Sequence, residues 1–296
     1  MKIGIIGAGS WGTALAVSSA RAGNDVALWA FDDELAKNMQ KGRENDLIPG
    51  VKIPENVFIT GEMADLRGTQ AWLVATPSEF FSETMQKGRE FWVDQPVIIC
   101  TKGMTADGKF MSEVLTDAIP EILPSRIGIL SGPQFAGEVA RGEPTGSTIA
   151  GGPEILAAAR VALSEFVLEE TDDTIGVQVC GAGKNAIAIL IGYIDGSGAG
   201  ENERALKLTE SWGEIVRLGR YLGARTETFL GLAGMGDLFL SADSKTSRNY
   251  SAGLALSRGE KPNGTIEGVS AIRGLSKIAQ KAGISTPNLS LMAGLI

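Results

Sequence analysis

Ile3-Gly4-Ile5-Ile6-Gly7-Ala8-Gly9-Ser10-Trp11-Gly12 is the stretch whose reading decides the fold. A short apolar run meets a Gly-x-Gly-x-x-Gly turn, and the turn opens an Ala/Leu-rich helical segment, residues 13–22, that stops at Gly23-Asn24. A second apolar run, residues 26–29, closes the unit. Strand, glycine turn, helix and strand in that order make a dinucleotide-binding βαβ unit. Gly7 makes the tight turn, Gly9 lets a pyrophosphate approach the backbone, and Gly12 lets helix and strand pack closely. The pyrophosphate then rests on the helix N-terminus, where unpaired N–H groups and the helix dipole favour an anion. Gly7, Gly9, Ser10, Trp11 and Gly12 are therefore candidate cofactor-binding residues.

Outward from this unit, residues 71–75, 97–100 and 127–130 are again short and apolar throughout, as expected of parallel strands covered on both faces. Their alternation with helical segments predicts an α/β fold, an N-terminal Rossmann doubly wound sheet. Strand signals fade in the second half. Residues 185–191 are apolar nearly all round, which predicts a helix buried on every side. Residues 203–222 place Leu208, Trp212, Ile215, Leu218 and Leu222 on one helical face. The expected organisation is a dinucleotide-binding Rossmann domain over residues 1–176 and a mainly α-helical substrate and catalytic domain over residues 177–296.

Composition narrows the function classes. A chain of 296 residues with 44% hydrophobic and 21% charged residues is ordinary for a two-domain globular protein. A net charge of -8 argues against a nucleic-acid or anionic-membrane binder, but leaves room for a local basic cluster around an anionic substrate. The apolar run after Met1 is short for a secretory leader, and no apolar run approaches the roughly 18–20 residues that span a bilayer. Cys100 and Cys180 lack CxxC spacing and read as buried free thiols, which suits the cytoplasm. There is no histidine, so a histidine-bound metal site is excluded, and any acid–base step falls to Lys, Asp, Glu, Tyr or Cys; no metal site is expected.

Cofactor choice turns on Trp29-Ala30-Phe31-Asp32-Asp33-Glu34. An acidic residue about 20 positions beyond the last glycine of the fingerprint binds the ribose 2′-hydroxyl and repels a 2′-phosphate. Asp32 has that spacing, Phe31 is placed to stack on adenine, and the nearest cation in sequence, Lys37, lies beyond three acidic residues. NAD is therefore expected over NADP. The competing reading is that Asp32, Asp33 and Glu34 merely form the charged start of the next helix.

Nearly the whole chain resembles the NAD(P)-dependent glycerol-3-phosphate dehydrogenases. The matching landmarks run in family order: residues 7–15, Leu47-Ile48-Pro49-Gly50, Ala75-Thr76-Pro77-Ser78, Thr101-Lys102-Gly103, Leu130-Ser131-Gly132-Pro133, Lys184-Asn185, residues 231–237, Ser247-Arg248-Asn249 and Ile266-Glu267-Gly268-Val269. Three positions depart from the pattern. Gln134 stands where the family has a small hydroxyl residue, Gly183 replaces a bulkier apolar residue, and Ser241 replaces Thr. The family also carries further helices beyond the point matched by Ile296.

The resemblance implies hydride transfer between NAD and C2 of a phosphorylated three-carbon substrate, interconverting sn-glycerol 3-phosphate and dihydroxyacetone phosphate. It implies that Lys184 is the proton acceptor in oxidation, that Lys102 binds and polarises substrate, and that Asp237 orients Lys184. It adds Gly132, Asn185, Ser247, Arg248 and Asn249 as substrate ligands, and Lys102, Ala136, Arg248 and Glu267 as cofactor contacts. The residues themselves point the same way. Lys184 opens the apolar helix at the expected domain boundary, where burial and a second ammonium would lower its pKa, and Lys102 follows the strand at 97–100. Ser247 suits an N-cap for a short helix over residues 250–257, and Arg248 offers a planar fork for a phosphate. Two other readings are a β-hydroxyacid or 6-phosphogluconate-type dehydrogenase, and an NAD-sensing regulator that has lost catalysis. Assembly as a homodimer is left open.

Overall fold

A computed structural model describes residues 1–242, 246–262 and 264–296. By its internal contacts the chain divides into two compact units. The first comprises residues 1–101, 112–130 and 134–172; the second comprises residues 102–111, 131–133 and 173–296. The expected cut at 176/177 falls inside a helix that is already capped at Asp173, and two short segments from the first half join the second unit.

The first unit is built on eight strands: β1 (Lys2–Ile6), β2 (Asp25–Trp29), β3 (Val57–Thr60), β4 (Ala71–Val74), β5 (Val97–Ile99), β6 (Ile127–Ser131), β7 (Gly146–Ala150) and β8 (Val167–Thr171). Its helices are α1 (Ser10–Arg21), α2 (Asp33–Gly42), α3 (Ser78–Gly88), α4 (Met111–Ala118), α5 (Ala136–Arg141) and α6 (Pro153–Ala162). The sheet order is β3-β2-β1-β4-β5-β6-β7-β8. β1 pairs in parallel with both β2 and β4, so Ile5 lies between Leu28 and Leu73. The chain runs outward from β1 to β3, then returns to the other side of β1 at β4. That reversal is the topological switch point, and the glycine turn leaves β1 at its carboxyl end, where such sheets bind ligands. β1, β4 and β5 are apolar because helices cover both faces: Ile3, Ile5, Leu73 and Ile98 are fully buried. Gly4 is the one gap, and Trp72 of β4 fills it, since a Cβ at Gly4 would come within 2.8 Å of the indole.

The expected strands all form. β3, β7 and β8 were not expected. β8 reads Val167-Leu168-Glu169-Glu170-Thr171 and lies at the sheet edge, largely exposed, where acidic residues blunt further pairing.

The second unit is helical: α7 (Thr174–Gly196), α8 (Glu201–Tyr221), α9 (Thr226–Leu230), α10 (Asp237–Ala242), α11 (Arg248–Ser257), α12 (Glu267–Ala282) and α13 (Pro287–Leu295), with a π-helical turn at Leu232–Gly236 leading into α10. α7 is the axis, and all six other helices touch it. It is 23 residues long and buried from Gly176 through Gly192, which corrects two expectations. The buried helix is far longer than residues 185–191, and Lys184 sits in its middle rather than at its N-terminal end. α7 also has the length and hydropathy of a membrane span, contrary to the expectation that no run of the chain is long and apolar enough, but 94% of that window is buried against protein, as in a core helix. On α8, Trp212, Ile215 and Leu218 are buried, while Leu208 and Leu222 are half-buried at the margin of the face. Both cysteines are free and buried.

Glycines let the helices close on α7. A Cβ at Gly253 of α11 would come within 2.6 Å of the Tyr193 nitrogen and collide with the Ile189 carbonyl. A Cβ at Gly192 would collide with the Tyr250 carbonyl. α11 therefore packs on α7 backbone against backbone.

Candidate active site

In the first unit the glycine turn has the shape of an anion cradle. Gly7 has φ +105°, a conformation open to glycine, and its N–H donates to the Trp29 carbonyl at 3.0 Å. A Cβ at Gly12 would lie on the Gly7 carbonyl oxygen, so turn and helix meet with no room for a side chain. Gly9 N-caps α1 without a side-chain cap, and the space where its Cβ would be is open. The indole N–H of Trp11 is buried and has no partner among the described residues. Unclaimed helix N–H groups, open space at Gly9 and an orphaned donor together fit a dinucleotide pyrophosphate. Asn45, which was not foreseen from the sequence, holds this turn: its amide donates to the Ala8 carbonyl at 3.0 Å and to the Thr13 hydroxyl at 2.8 Å. Its only signal was its place just before the Leu47-Ile48-Pro49-Gly50 landmark.

Asp32 turns out to be the N-cap of α2: Oδ1 accepts from the Glu34 N–H at 2.8 Å and the Leu35 N–H at 3.2 Å. The helix-start reading of this acidic cluster is thus realised, with Oδ1 engaged in capping. Phe31 is 71% exposed and meets Trp29 edge-to-face at 6.2 Å. Ala136 is the half-buried first residue of α5. Gln134 turns toward β7, donating to the Gly146 carbonyl at 3.3 Å and to the Ser147 hydroxyl, while its Oε1 is buried without a partner among the described residues.

In the second unit two lysines share one carboxylate. Lys184 Nζ lies 3.1 Å from Asp237 Oδ1 and donates to the Ser241 hydroxyl at 2.9 Å. Lys102 Nζ lies 2.8 Å from Asp237 Oδ2 and donates to the Gly132 carbonyl at 2.5 Å. Ser241 in turn donates to Asp237 Oδ1 at 3.3 Å. Asp237 is 1% exposed and Lys184 is 8% exposed. Burial is the main cause that lowers the Lys184 pKa, to about 8; Asp237 opposes it and the Lys102 charge reinforces it. Burial pushes the Asp237 carboxyl up, but the two ammonium groups and their hydrogen bonds outweigh that and hold it below its usual value.

Each group is positioned by local structure. Lys184 rides on α7, where Gly183 gives α8 room: a Cβ there would come within 2.5 Å of Ile215 Cγ2, which accounts physically for the departure at Gly183. The π-helical turn delivers Asp237 to the start of α10, and Gly234 within it abuts the Phe229 backbone with no space for a Cβ. Asp173, also missed in the sequence, caps α7 through the Gly176 N–H at 2.8 Å and binds the Arg225 N–H at 2.9 Å and the Thr228 hydroxyl at 2.6 Å. It ties the lysine-bearing helix to the segment that leads to Asp237.

Residues 2–156 match the NAD-dependent glycerol-3-phosphate dehydrogenase N-terminus, and residues 173–295 match the C-terminus of the same family. The chain belongs to that family. It is 40% identical over 308 residues to a glycerol-3-phosphate dehydrogenase [NAD(P)+] from Rhodospirillum rubrum, covering 99% of this chain and 87% of the relative. The crystal structure of glycerol-3-phosphate dehydrogenase from Coxiella burnetii superposes with a TM-score of 0.91 at 32% identity, covering 98% of this chain and 93% of that one. The yeast enzyme from Saccharomyces cerevisiae, at 23% identity and TM-score 0.84 over 100% of this chain and 95% of that one, shares the fold.

As a glycerol-3-phosphate dehydrogenase family member, the chain brings most of its expected substrate-side residues together. Asn185 donates to the Lys102 carbonyl at 2.6 Å, Asn249 donates to Asn185 Oδ1 at 2.8 Å, and the Gly268 N–H donates to Asn249 Oδ1 at 2.9 Å. Ser247 N-caps α11, its hydroxyl accepting from the Tyr250 N–H at 3.3 Å. Arg248 begins α11 two residues earlier than the helix expected at 250–257; it is exposed and has no ion pair among the described residues. Glu267 is the half-buried first residue of α12. No metal-binding cluster occurs among the described residues.

Proposed function

We infer that this chain is an NAD-dependent oxidoreductase that interconverts sn-glycerol 3-phosphate and dihydroxyacetone phosphate. The observation that carries the chemistry is that one buried carboxylate, Asp237, is shared between Lys184 and Lys102. NAD supplies or accepts the hydride at C2 of the substrate. The chain's own residues manage the charge that hydride movement creates at the C2 oxygen. In the reducing direction that oxygen gains negative charge, and Lys184 donates the proton it needs; in oxidation the neutral amine takes the proton back. A pKa of about 8 lets Lys184 populate both forms near neutral pH. Lys102 polarises the carbonyl and adds positive charge. Asp237, ionised, balances one ammonium and aims both, and Ser241, itself hydrogen-bonded to Asp237, gives the Lys184 amine a second acceptor beside the carboxylate.

In this reading the first unit holds the dinucleotide through Gly7, Gly9, Ser10, Trp11 and Gly12, with Phe31 against adenine and Asp32 at the ribose; Ala136 adds a contact. The second unit holds the substrate. Arg248 and the N-terminus of α11 take the phosphate, Gly132, Asn185, Ser247 and Asn249 line the same site, and Glu267 contacts the cofactor. The product glycerol 3-phosphate serves phospholipid synthesis, a cytoplasmic role that suits two free buried thiols and a net charge of -8. A homodimer is compatible with this function, and neither nucleic acid nor membrane has a part in it. Family membership answers the β-hydroxyacid reading. The lysine–aspartate–lysine arrangement speaks against a lapsed sensor, which has no need to hold one buried and one half-buried ammonium on a single buried carboxylate. The test follows NADH by absorbance: its oxidation with dihydroxyacetone phosphate, and its formation from NAD with sn-glycerol 3-phosphate, 6-phosphogluconate and 3-hydroxyisobutyrate side by side. Turnover confined to the glycerol 3-phosphate and dihydroxyacetone phosphate pair is expected. Tight NADH binding without turnover of any of them would return the sensor reading to the front.

A further inference from the structure

Asp32 does not stand alone beside the nucleotide site. Lys87, in the last turn of α3, places its ammonium 4.8 Å from the centre of the Phe31 ring. Phe31 stands two residues beyond the end of β2, the strand whose Trp29 carbonyl accepts the Gly7 N–H. The cation and the ring therefore belong to the part of the first unit where the adenosine end of a dinucleotide extends from the glycine turn. We propose that Lys87 is the cation that admits a 2′-phosphate there, so that cofactor preference is set by Lys87 acting against Asp32. This rests on the reading that the glycine turn binds a dinucleotide with its adenine at Phe31.

Three features carry the assignment. First, Lys87 is loosely held. Its partners are the Phe31 ring and Glu83, one turn earlier, at 2.8 Å; both charged side chains are about half or more exposed. An exposed i,i+4 ion pair and an exposed cation–π contact are each weak, so a phosphate dianion can recruit the ammonium from them. Its four-carbon stem lets the amine move off the ring while staying near it. Second, Asp32 is fixed as the cap of α2. Its charge cannot swing away, and it stands as a constant opposition to a 2′-phosphate. Third, the other cation considered from sequence, Lys37, is an exposed residue of α2 beyond Asp33 and Glu34, in the acidic stretch that repels phosphate. The outcome is an enzyme that prefers NADH yet accepts NADPH, with Lys87 responsible for the acceptance. Glu83 then acts as a brake, because it competes with the phosphate for the same ammonium.

The experiment titrates the full chain with NADH and with NADPH, following quenching of tryptophan fluorescence, so that binding is read without turnover. Lys87→Gln is expected to weaken NADPH about five- to tenfold and NADH less than twofold. Glu83→Gln is expected to tighten NADPH and leave NADH unchanged. Lys2→Gln, a charge loss at the opposite end of β1, is expected to change neither. Added salt is expected to weaken NADPH more than NADH in the parent chain, and this difference is expected to shrink in Lys87→Gln. Equal shifts for both cofactors in Lys87→Gln, or none for either, overturn the proposal while leaving the dinucleotide site standing. Failure of the parent chain to bind NADH overturns that site, and the Lys87 assignment with it.

Discussion

Asp237→Asn removes one charge and almost no volume, so its effect is almost purely electrostatic. In the parent protein the carboxylate faces Lys184 at 3.1 Å and Lys102 at 2.8 Å, and it is the only group raising the Lys184 pKa against burial. At an effective dielectric constant of about 20, the attraction across 3.1 Å is roughly 5 kcal/mol. One pKa unit corresponds to about 1.36 kcal/mol, so the upper bound on the lost support is close to 4 units. Relaxation and water entry reduce that, and a drop of at least about one unit from the parent value of about 8 is expected. Reduction of dihydroxyacetone phosphate needs the protonated amine, so its rate falls as pH rises through the Lys184 pKa. In Asp237→Asn that fall moves to lower pH, and the variant recovers activity on acidification. Oxidation of glycerol 3-phosphate needs the neutral amine, so its rising limb moves the same way. Single-turnover rates in both directions, measured from about pH 5.5 to 9.5 to bracket the Lys184 pKa, read both effects, with NADH affinity as a control. A variant whose reduction rate still falls around pH 8, merely scaled down, would show that Asp237 does not set the Lys184 charge and would refute the reasoning.

The remaining expectations are narrower. Lys184→Met keeps the unbranched stem and removes the ammonium; kcat is expected to fall by about 10²–10⁴ with NADH binding nearly unchanged, measured by steady-state assay and fluorescence titration. Retention of more than about a tenth of parental kcat would transfer the proton-donor role to Lys102. Arg248→Ala is expected to cost dihydroxyacetone phosphate a few kcal/mol in kcat/KM while barely changing the slow reaction of unphosphorylated dihydroxyacetone; equal losses on both would make the arginine structural. Gly253→Ala drives a methyl into the Ile189 carbonyl and the Tyr193 nitrogen, and is expected to lower stability by about 1–3 kcal/mol, read as a fall in the thermal midpoint; an unchanged midpoint would show that α11 can lift off α7 freely.

Most of the first unit could be read in advance because its constraints are local. β1, the glycine turn and α1 are contiguous, and each glycine does work that residues within the same unit define. β8 escaped because Glu169 and Glu170 hide a strand that has one side at the sheet edge; its pairing with β7 is a long-range fact. α7 was read too short for a related reason. Gly176, Gly181 and Gly183 lower helix propensity and look like a break, yet Gly181 and Gly183 stand where other segments close on the helix: Gly181 lies beside Ser131 and Lys102, and Gly183 beside Ile215. Propensity is a property of the residue, whereas that requirement belongs to the neighbours. The same contrast runs through the site. Lys184, Lys102 and Asp237 are 53 or more positions apart in sequence, and no spacing rule links them; the place of Lys102 beyond a strand end hinted at its approach to Lys184, but Asp237 was foreseen through resemblance alone. Asp32 had two readings, ribose ligand and helix cap. The backbone chose the cap for one carboxylate oxygen, and a lone carboxylate can still oppose a phosphate while capping. Lys87 had no reading at all, because nothing in Met85-Gln86-Lys87-Gly88 hints that its amine reaches the aromatic ring after β2. Cofactor selectivity is thus the least legible property of this chain: it depends on a balance between a charge fixed by local capping and a charge delivered by a different helix.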